Sequence, residues 1–316
     1  MLVTHTFKVV DGLSLEIDVV SPPTKDENTP VILHFHGGFL FLGEKTSFTP
    51  HWLINACQKR GWIYATASYR LLPETPGLEI LQDAIDAVSW VYENLSKRVV
   101  IAGSSAGGYL ALAAGAHPAT PRPLAVLSIY GMMDCAGERY IHPGQPLGAT
   151  IENEAEVLKE VDDAMRADAI DAYAFPMDPP ADSRFRWIMA LHQAAQFPDV
   201  LTRKPGLGAR IVGEGLGAIV EEDRVLFPVR FGLKEGFPAT VLLHGDADDV
   251  VRFEQSVAVV EGLKAVGVDV SLERAEGQGH GFEVQDVIDL DGDETADKAV
   301  IEPLRRVIAH LERHFQ

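Results

Sequence analysis

A pair of serines bordered by glycines lies at the boundary between two kinds of sequence pattern. The run from Val99 to Ala116, VVIAGSSAGGYLALAAGA, begins like a buried strand and continues like a helix of small residues. Its centre, GSSAG at 103–107, fits G-x-S-x-G, the pattern of a nucleophile elbow. In such an elbow a strained backbone lifts the central hydroxyl above the sheet edge, where the following helix N-terminus favours negative charge. Ser105 is therefore the candidate nucleophile, and Ser104 takes the variable position.

A serine hydroxyl is a weak nucleophile, so it needs a base and an acid that orients the base. Two later segments offer these groups. The segment VLLHGDADDVV ends a predicted strand in a turn with three aspartates, and GQGHGF places His280 in a loop of glycines. The order serine, acid, histidine, each after a strand, is that of elbow hydrolases. Spacing alone leaves the choice of acid open among Asp246, Asp248 and Asp249.

A second glycine-rich loop is a candidate for binding the negative charge that develops on a substrate carbonyl oxygen. The loop HFHGGFLFLG follows an early predicted strand, and Gly37 and Gly38 allow its backbone to approach a ligand closely. Backbone N–H groups from such a loop and from the helix after the nucleophile form an oxyanion hole.

These groups need a scaffold that brings them to one place, and alternating strands and helices supply it. The segments VILHFHG (Val31–Gly37) and WIYATASY (Trp62–Tyr69) are typical of buried strands, and a helical pattern follows each. This alternation predicts an α/β fold with a mostly parallel sheet and helices on both faces. From 132 to 237 the sequence shows helical stretches without a convincing strand. We therefore expect an α/β core, 1–131 and 238–316, with an inserted, mainly helical lid at 132–237.

Two helical stretches in the predicted lid differ in character. The stretch 151–173 is strongly acidic, so we expect it on the solvated outside. The stretch RFRWIMALHQAAQF has an apolar face, which either packs within the lid or partly lines a pocket over the nucleophile. That face comprises Phe185, Ile188, Met189 and His192.

Composition limits the partners and the compartment. The chain of 316 residues is 47% hydrophobic and carries a net charge of −19, from 46 acidic and 27 basic residues. Such an acidic surface repels phosphate backbones and anionic lipids, so we expect no nucleic-acid partner and no membrane insertion. Two cysteines form no disulfide framework, and the first residues lack a signal-peptide pattern, which favours a cytoplasmic protein. No cluster of histidine, cysteine and carboxylate residues has metal-ligand spacing, so no metal is predicted.

Four motifs together resemble the α/β-hydrolase superfamily, and within it the hormone-sensitive-lipase-like esterases of the α/β-hydrolase fold-3 group. They are HGG at 36–38, YRLLPE at 69–74, GSSAGG at 103–108, and the pair HGDADDVV and GHGF. The resemblance implies that the acid stands three residues after the glycine of H-G-x-x-D-x-x-V, which is Asp248. It also implies that Tyr69, Arg70 and Glu74 brace loops near the site.

The sequence departs from this family at two positions. Phe39 stands where the family usually has a third glycine, and Ser104 stands where it usually has aspartate. A main-chain donor survives any side chain, so the resemblance still implies an oxyanion hole around Gly37, with the N–H groups of Gly38, Phe39 and Ala106 as donors. The phenyl ring of Phe39 is expected to narrow the acyl side of the pocket.

The expected function is hydrolysis of a small, neutral carboxylic ester by a serine hydrolase without a cofactor. Ser105 attacks the carbonyl, His280 transfers the proton, and Asp248 fixes the histidine tautomer. The same site could instead cleave an amide, as arylformamidases do, or a thioester or lactone in secondary metabolism. A non-catalytic ligand receptor on this fold is a further alternative, which His280 argues against.

Overall fold

The computed structural model describes residues 2–285, 288–292 and 297–316. Within these residues eight strands form one sheet, in the spatial order β1-β2-β4-β3-β5-β6-β7-β8. The first two strands join the sheet in antiparallel pairing, and all later neighbours are parallel. The strands are β1 (Leu2–Val10), β2 (Leu13–Val20), β3 (Val31–Phe35), β4 (Ile63–Ala67), β5 (Val99–Ser104), β6 (Ala125–Ile129), β7 (Ala239–Gly245) and β8 (Val270–Ala275).

Eleven α-helices connect or follow the strands in the described part of the chain. They are α1 (His51–Arg60), α2 (Gly77–Asn94), α3 (Ala106–Ala116), α4 (Glu138–Ile141), α5 (Glu154–Ala164), α6 (Ser183–Gln193), α7 (Phe197–Thr202), α8 (Leu207–Glu214), α9 (Pro228–Phe231), α10 (Glu254–Ala265) and α11 (Lys298–His314). Short 3₁₀ turns occur at Pro179–Ala181, Gly215–Ala218, Glu221–Leu226 and Phe282–Val284.

The central strands are buried on both faces, because helices cover both sides of the sheet. Along β3, Leu33 and Phe35 belong to the core under α2 and α3, whereas Ile32 belongs to the opposite core, which α1 and α11 cover. This alternation follows from the period of two in an extended strand. The predicted α/β fold with a mostly parallel sheet is confirmed.

Between β6 and β7 the chain leaves the sheet and forms α4 to α9; we call residues 130–238 the β6–β7 segment. The predicted acidic helix over 151–173 is shorter in the structure, since α5 ends at Ala164 and the N–H groups of Arg166 and Ala167 bond only three residues back. On α6, Ile188, Met189 and His192 are buried, as their helical spacing indicates. Among the described residues, none of the helices combines the length and the apolar character needed to cross a membrane.

Candidate active site

The chain between β5 and α3 forms a sharp elbow at Ser105. This residue has φ 54° and ψ −118°, a strained conformation for a residue with a side chain. A Cβ atom on Gly103 would lie 2.1 Å from the carbonyl oxygen of Gly107, and one on Gly107 would lie 2.0 Å from that of Phe35. Both positions therefore require glycine, because strand and helix backbones touch there. The spacing of the two glycines in the GSSAG motif therefore has a steric cause.

His280 and Asp248 meet at the carboxyl end of β7. Nδ1 of His280 lies 2.7 Å from Oδ2 of Asp248. The other oxygen of that carboxylate accepts the N–H groups of Val250 and Val251, each over 2.9 Å. Burial raises the pKa of Asp248, but the hydrogen bonds from His244 and His280 outweigh it and hold the pKa well below its usual range. The carboxylate therefore stays ionised beside the imidazole at neutral pH.

The two other aspartates of the same turn point elsewhere. Asp246 pairs with Arg274 and accepts a hydrogen bond from the N–H of Gly277 over 2.6 Å, which ties the turn to the end of β8 and the residues that follow it. Asp249 is exposed, and its carbonyl oxygen accepts a hydrogen bond from Arg139. Among the three aspartates that sequence spacing left open, Asp248 is the one that reaches His280.

A second histidine, which was not among the predicted site residues, holds the same carboxylate. Nε2 of His244 lies 3.2 Å from Oδ2 of Asp248 and 3.0 Å from the carbonyl oxygen of Val251. Because the carboxylate and the carbonyl oxygen are both acceptors, Nε2 carries the proton of the neutral imidazole. Nδ1 then accepts a hydrogen bond from the hydroxyl of Ser256 over 2.7 Å. The signal for His244 is its place four residues before Asp248 in the HGDAD motif.

Tyr130, directly after β6, lies between the elbow and the histidine. The N–H of Ser105 donates to the carbonyl oxygen of Ile129 over 2.8 Å, and the ring of Tyr130 lies 4.5 Å from that of His280. Candidate nucleophile and candidate base thus both contact the end of β6. Among the described residues, no hydrogen bond joins the hydroxyl of Ser105 to His280. Ser105 is buried, with 6% of its surface exposed.

The glycine-rich loop after β3 folds against the nucleophile. A Cβ atom on Gly37 would lie 3.0 Å from Cβ of Ser105 and 3.7 Å from its hydroxyl oxygen. The next three residues, Gly38, Phe39 and Leu40, all have positive φ angles, of 117°, 56° and 67°. A side chain at Gly38 would collide with the carbonyl oxygen of Leu42, only 2.1 Å away. The loop is therefore tightly coiled over Ser105, and Ala106 begins α3 on the other side of that residue.

Tyr69 holds this loop through His36. Its hydroxyl donates to the carbonyl oxygen of His36 over 2.8 Å, and the two rings stack with centroids 4.3 Å apart. Arg70, next in the chain, is buried and donates from Nε to Asp83 over 2.8 Å. Tyr69 thus contacts the glycine-rich loop, whereas Arg70 ties its segment to α2.

An arginine of α6, which was not among the predicted site residues, connects the β6–β7 segment to the same loop. Arg184 is buried and pairs with Glu74. Its guanidinium also donates to the carbonyl oxygens of Phe41 and Leu72, over 3.0 and 2.9 Å. Glu74 therefore ties the chain after β4 to a distant segment through an ion pair.

The ring of Phe39 faces α6. It meets the ring of His192 edge to face, with centroids 5.2 Å apart, and Tyr140 packs against the same histidine at 5.2 Å. Phe185, which shares a predicted helix face with His192, is only half-buried and contacts Phe175 instead. One end of the predicted apolar face thus lies against the glycine-rich loop.

Two pairs of buried polar side chains lie close to the elbow. The hydroxyl of Ser104 lies 3.0 Å from Nε2 of His34. The Tyr130 hydroxyl donates over 2.6 Å to Oε1 of Glu283, whose Oε2 has no hydrogen-bond partner among the described residues. Burial raises the pKa of Glu283 to about 7. No pattern in the sequence distinguishes Glu283 from an exposed loop carboxylate.

The family comparison agrees with this architecture. Residues 32–203 match the model of the Abhydrolase_3 family, described as having the alpha/beta hydrolase fold. The match covers more than half of the chain, and the chain belongs to this family.

Solved structures show the same fold at low sequence identity. A Staphylococcus aureus protein of unknown function superimposes with a TM-score of 0.70 at 17% identity, covering 99% of this chain and 100% of that one. An Enterococcus faecalis protein of the alpha/beta hydrolase superfamily reaches 0.69 at 19% identity, covering 99% of each chain. The esterase Est2 of Thermogutta terrifontis, with propionate bound, reaches 0.61 at 17% identity, covering 99% of this chain and 94% of that one.

The curated relatives are much longer proteins. The non-reducing polyketide synthase pkbA of Emericella nidulans is 25% identical over 88% of this chain and 13% of its own length. The non-reducing polyketide synthase ausA of Aspergillus calidoustus is 26% identical over 95% of this chain and 14% of its own length. The chain thus spans about an eighth of the length of these relatives.

Proposed function

We propose that this chain is a serine hydrolase that cleaves a carboxylic ester bond through an acyl-enzyme. The observation that carries the proposal is the hydrogen-bonded pair of His280 and Asp248, 2.7 Å apart, at the sheet edge where a strained elbow presents Ser105. The loop of Gly37 in contact with that serine supports it further. Such a set of nucleophile, base, acid and coiled loop suits acyl transfer.

The proposed reaction proceeds in two balanced steps. The hydroxyl oxygen of Ser105 attacks the carbonyl carbon while Nε2 of His280 accepts its proton, and Asp248 stabilises the resulting imidazolium. The N–H groups of Gly38, Phe39 and Ala106 bind the oxyanion. His280 then returns the proton to the leaving alcohol as the C–O bond breaks. Water repeats the sequence on the acyl-enzyme and releases the acid.

The substrate is proposed to carry a neutral acyl group of small to medium size. Phe39 replaces the glycine usual in the resembled esterases, and its ring packs against His192 of the β6–β7 segment. We propose that residues 132–237 act as a lid over the site, held to the loop by the ion pair of Arg184 and Glu74. Such a cover restricts the acyl pocket and disfavours long lipid chains.

Thioester cleavage is the second candidate, and the curated relatives favour it specifically. Most of this chain matches a segment that makes up about an eighth of several polyketide synthases. Polyketide chains are assembled as acyl thioesters, so a hydrolase that resembles part of such a synthase could release or edit them. The site chemistry is the same, since only the leaving atom changes from oxygen to sulfur.

Active-site labelling with a fluorophosphonate tests the proposal. The probe should label the wild-type protein and the Ser104→Ala variant but not the Ser105→Ala variant. Labelling at Ser104, or unchanged turnover in Ser105→Ala, would contradict the mechanism. A panel of p-nitrophenyl esters, matched acyl thioesters and anilides then separates the ester, thioester and amide candidates by their kcat/KM values.

A further inference from the structure

Three side chains with metal-binding atoms converge outside the proposed active site, at the C-terminal end of α11. His310 and His314 are one helical turn apart, and Asp269 directly precedes β8. Nε2 of His310 lies 3.1 Å from Nε2 of His314, which in turn lies 3.5 Å from Oδ2 of Asp269. All three atoms lie within 4.8 Å of one another.

We propose that this cluster binds a zinc ion or a similar first-row divalent metal. Zinc bonds to imidazole nitrogen and carboxylate oxygen are about 2.0–2.2 Å long, so tetrahedral angles place neighbouring ligand atoms roughly 3.4 Å apart. Two of the three separations between ligand atoms, 3.1 and 3.5 Å, lie on either side of that value, and the third is within 4.8 Å. Two imidazoles and one carboxylate are a ligand set that zinc takes, with the fourth position left to water.

Burial suits the three residues to this role. His310 is 3% exposed, so little rearrangement of its ring is possible within the packed helix. His314 is half-buried and Asp269 is exposed, which leaves a path from solvent to the point where the donor atoms meet. No metal was predicted from residue spacing, and Asp269 is indeed far from the two histidines in the chain; packing of α11 against β8 brings the three residues together.

Arg313 competes with the metal in the present arrangement. Its guanidinium donates to Nδ1 of His310 over 2.6 Å, which places the proton of that imidazole on Nε2, directed at His314. Binding of the metal to Nε2 requires this proton to move to Nδ1 through solvent, so the imidazole changes tautomer without a change in net protonation. The side chain of Arg313, which is exposed, must then turn away.

Isothermal titration calorimetry with zinc chloride on the chelator-treated full chain tests the proposal. The wild type should bind one ion per chain. The His314→Ala and Asp269→Asn variants should each lose at least about tenfold in affinity. The Arg313→Gln variant should bind more tightly than the wild type, because the competing donor is gone. His142→Ala, which removes an exposed histidine elsewhere, is the matched control and should bind as the wild type does.

A thermal unfolding series with and without zinc provides the second measurement. Zinc should raise the unfolding midpoint of the wild type, since it binds the folded state, and should raise that of His314→Ala much less. Equal zinc affinity in the wild type and in both ligand variants would overturn the proposal. So would a lack of binding by both the wild type and Arg313→Gln. Esterase activity is a separate readout, because the cluster shares no residue with the proposed catalytic set.

Discussion

The phenolic hydroxyl of Tyr130 donates a 2.6 Å hydrogen bond to Glu283, and the ring of the same tyrosine packs against His280. Glu283 is fully buried, and its second carboxylate oxygen has no hydrogen-bond partner among the described residues. Burial leaves this carboxylate poorly solvated as an anion, which is why its pKa rises to about 7. The proposed base, His280, therefore packs against a tyrosine whose hydrogen-bond partner, Glu283, changes charge near neutral pH.

The stability of the fold should consequently depend on pH through Glu283. The folded-state pKa of about 7 lies above the ordinary value of 4.5, so the folded state holds the proton more tightly. This contribution to the free energy of unfolding is fully present below about pH 4.5 and is lost as pH rises through 7, on the order of 3 kcal/mol in total. Glu283→Gln should remove that dependence and unfold at higher urea concentration than the wild type at pH 8.

Urea unfolding of both proteins from pH 5 to pH 8 checks this difference. Glu276→Gln, which changes an exposed carboxylate in the same region, is the control and should follow the wild-type curve. If the curves for Glu283→Gln and the wild type stay parallel across this range, Glu283 is ionised in the folded protein throughout.

The proposed acid gives a second prediction. Asp248→Asn should lower kcat on p-nitrophenyl acetate by several orders of magnitude, about 10⁴ by analogy with serine proteases, because the amide favours the wrong histidine tautomer. Asp246→Asn should have a much smaller effect, since Asp246 contacts Arg274 and Gly277 rather than His280. A larger loss in Asp246→Asn than in Asp248→Asn would show that the acid is misassigned.

Phe39 gives a third prediction, on acyl selectivity. Phe39→Gly should broaden the range of accepted acyl chains more than it changes kcat on acetate esters, because the ring that meets His192 is removed and the positive φ angle suits glycine. The measurement is kcat/KM across p-nitrophenyl esters of increasing chain length. Phe185→Ala serves as a control, since that ring contacts Phe175 rather than His192. An unchanged chain-length profile in Phe39→Gly would remove Phe39 from the acyl pocket.

The ion pair of Arg184 and Glu74 gives a fourth prediction, on stability. Both side chains are buried, so Arg184→Met leaves a carboxylate and two carbonyl oxygens without their donor. The loss should be about 3–5 kcal/mol in the free energy of unfolding. Adding Glu74→Gln to Arg184→Met should recover part of that loss, because the unpaired buried charge is then gone. A double-mutant cycle by urea unfolding measures the coupling, and additive losses would show that the pair is not coupled.

The elbow is the part of the site that could be predicted most completely from the residues alone. The glycines of GSSAG are required by contacts between residues that are close along the chain or at the adjacent end of β3, so their spacing records a steric constraint. The alternation of strands and helices likewise predicted the parallel sheet, because burial of both sheet faces leaves continuous apolar runs. The choice of Asp248 came from the resemblance to a family, since three aspartates in one turn are locally equivalent.

Contacts between side chains that are distant in the chain could not be predicted from local patterns. The contacts of Arg184 with Glu74 and of Tyr130 with Glu283 each join segments that lie more than 100 residues apart in the chain and depend on how those segments pack. The position of Asp269 beside His310 and His314 depends on packing in the same way. Local sequence patterns report the period and burial of one segment, whereas a hydrogen bond between segments depends on side-chain positions that the whole packed core determines.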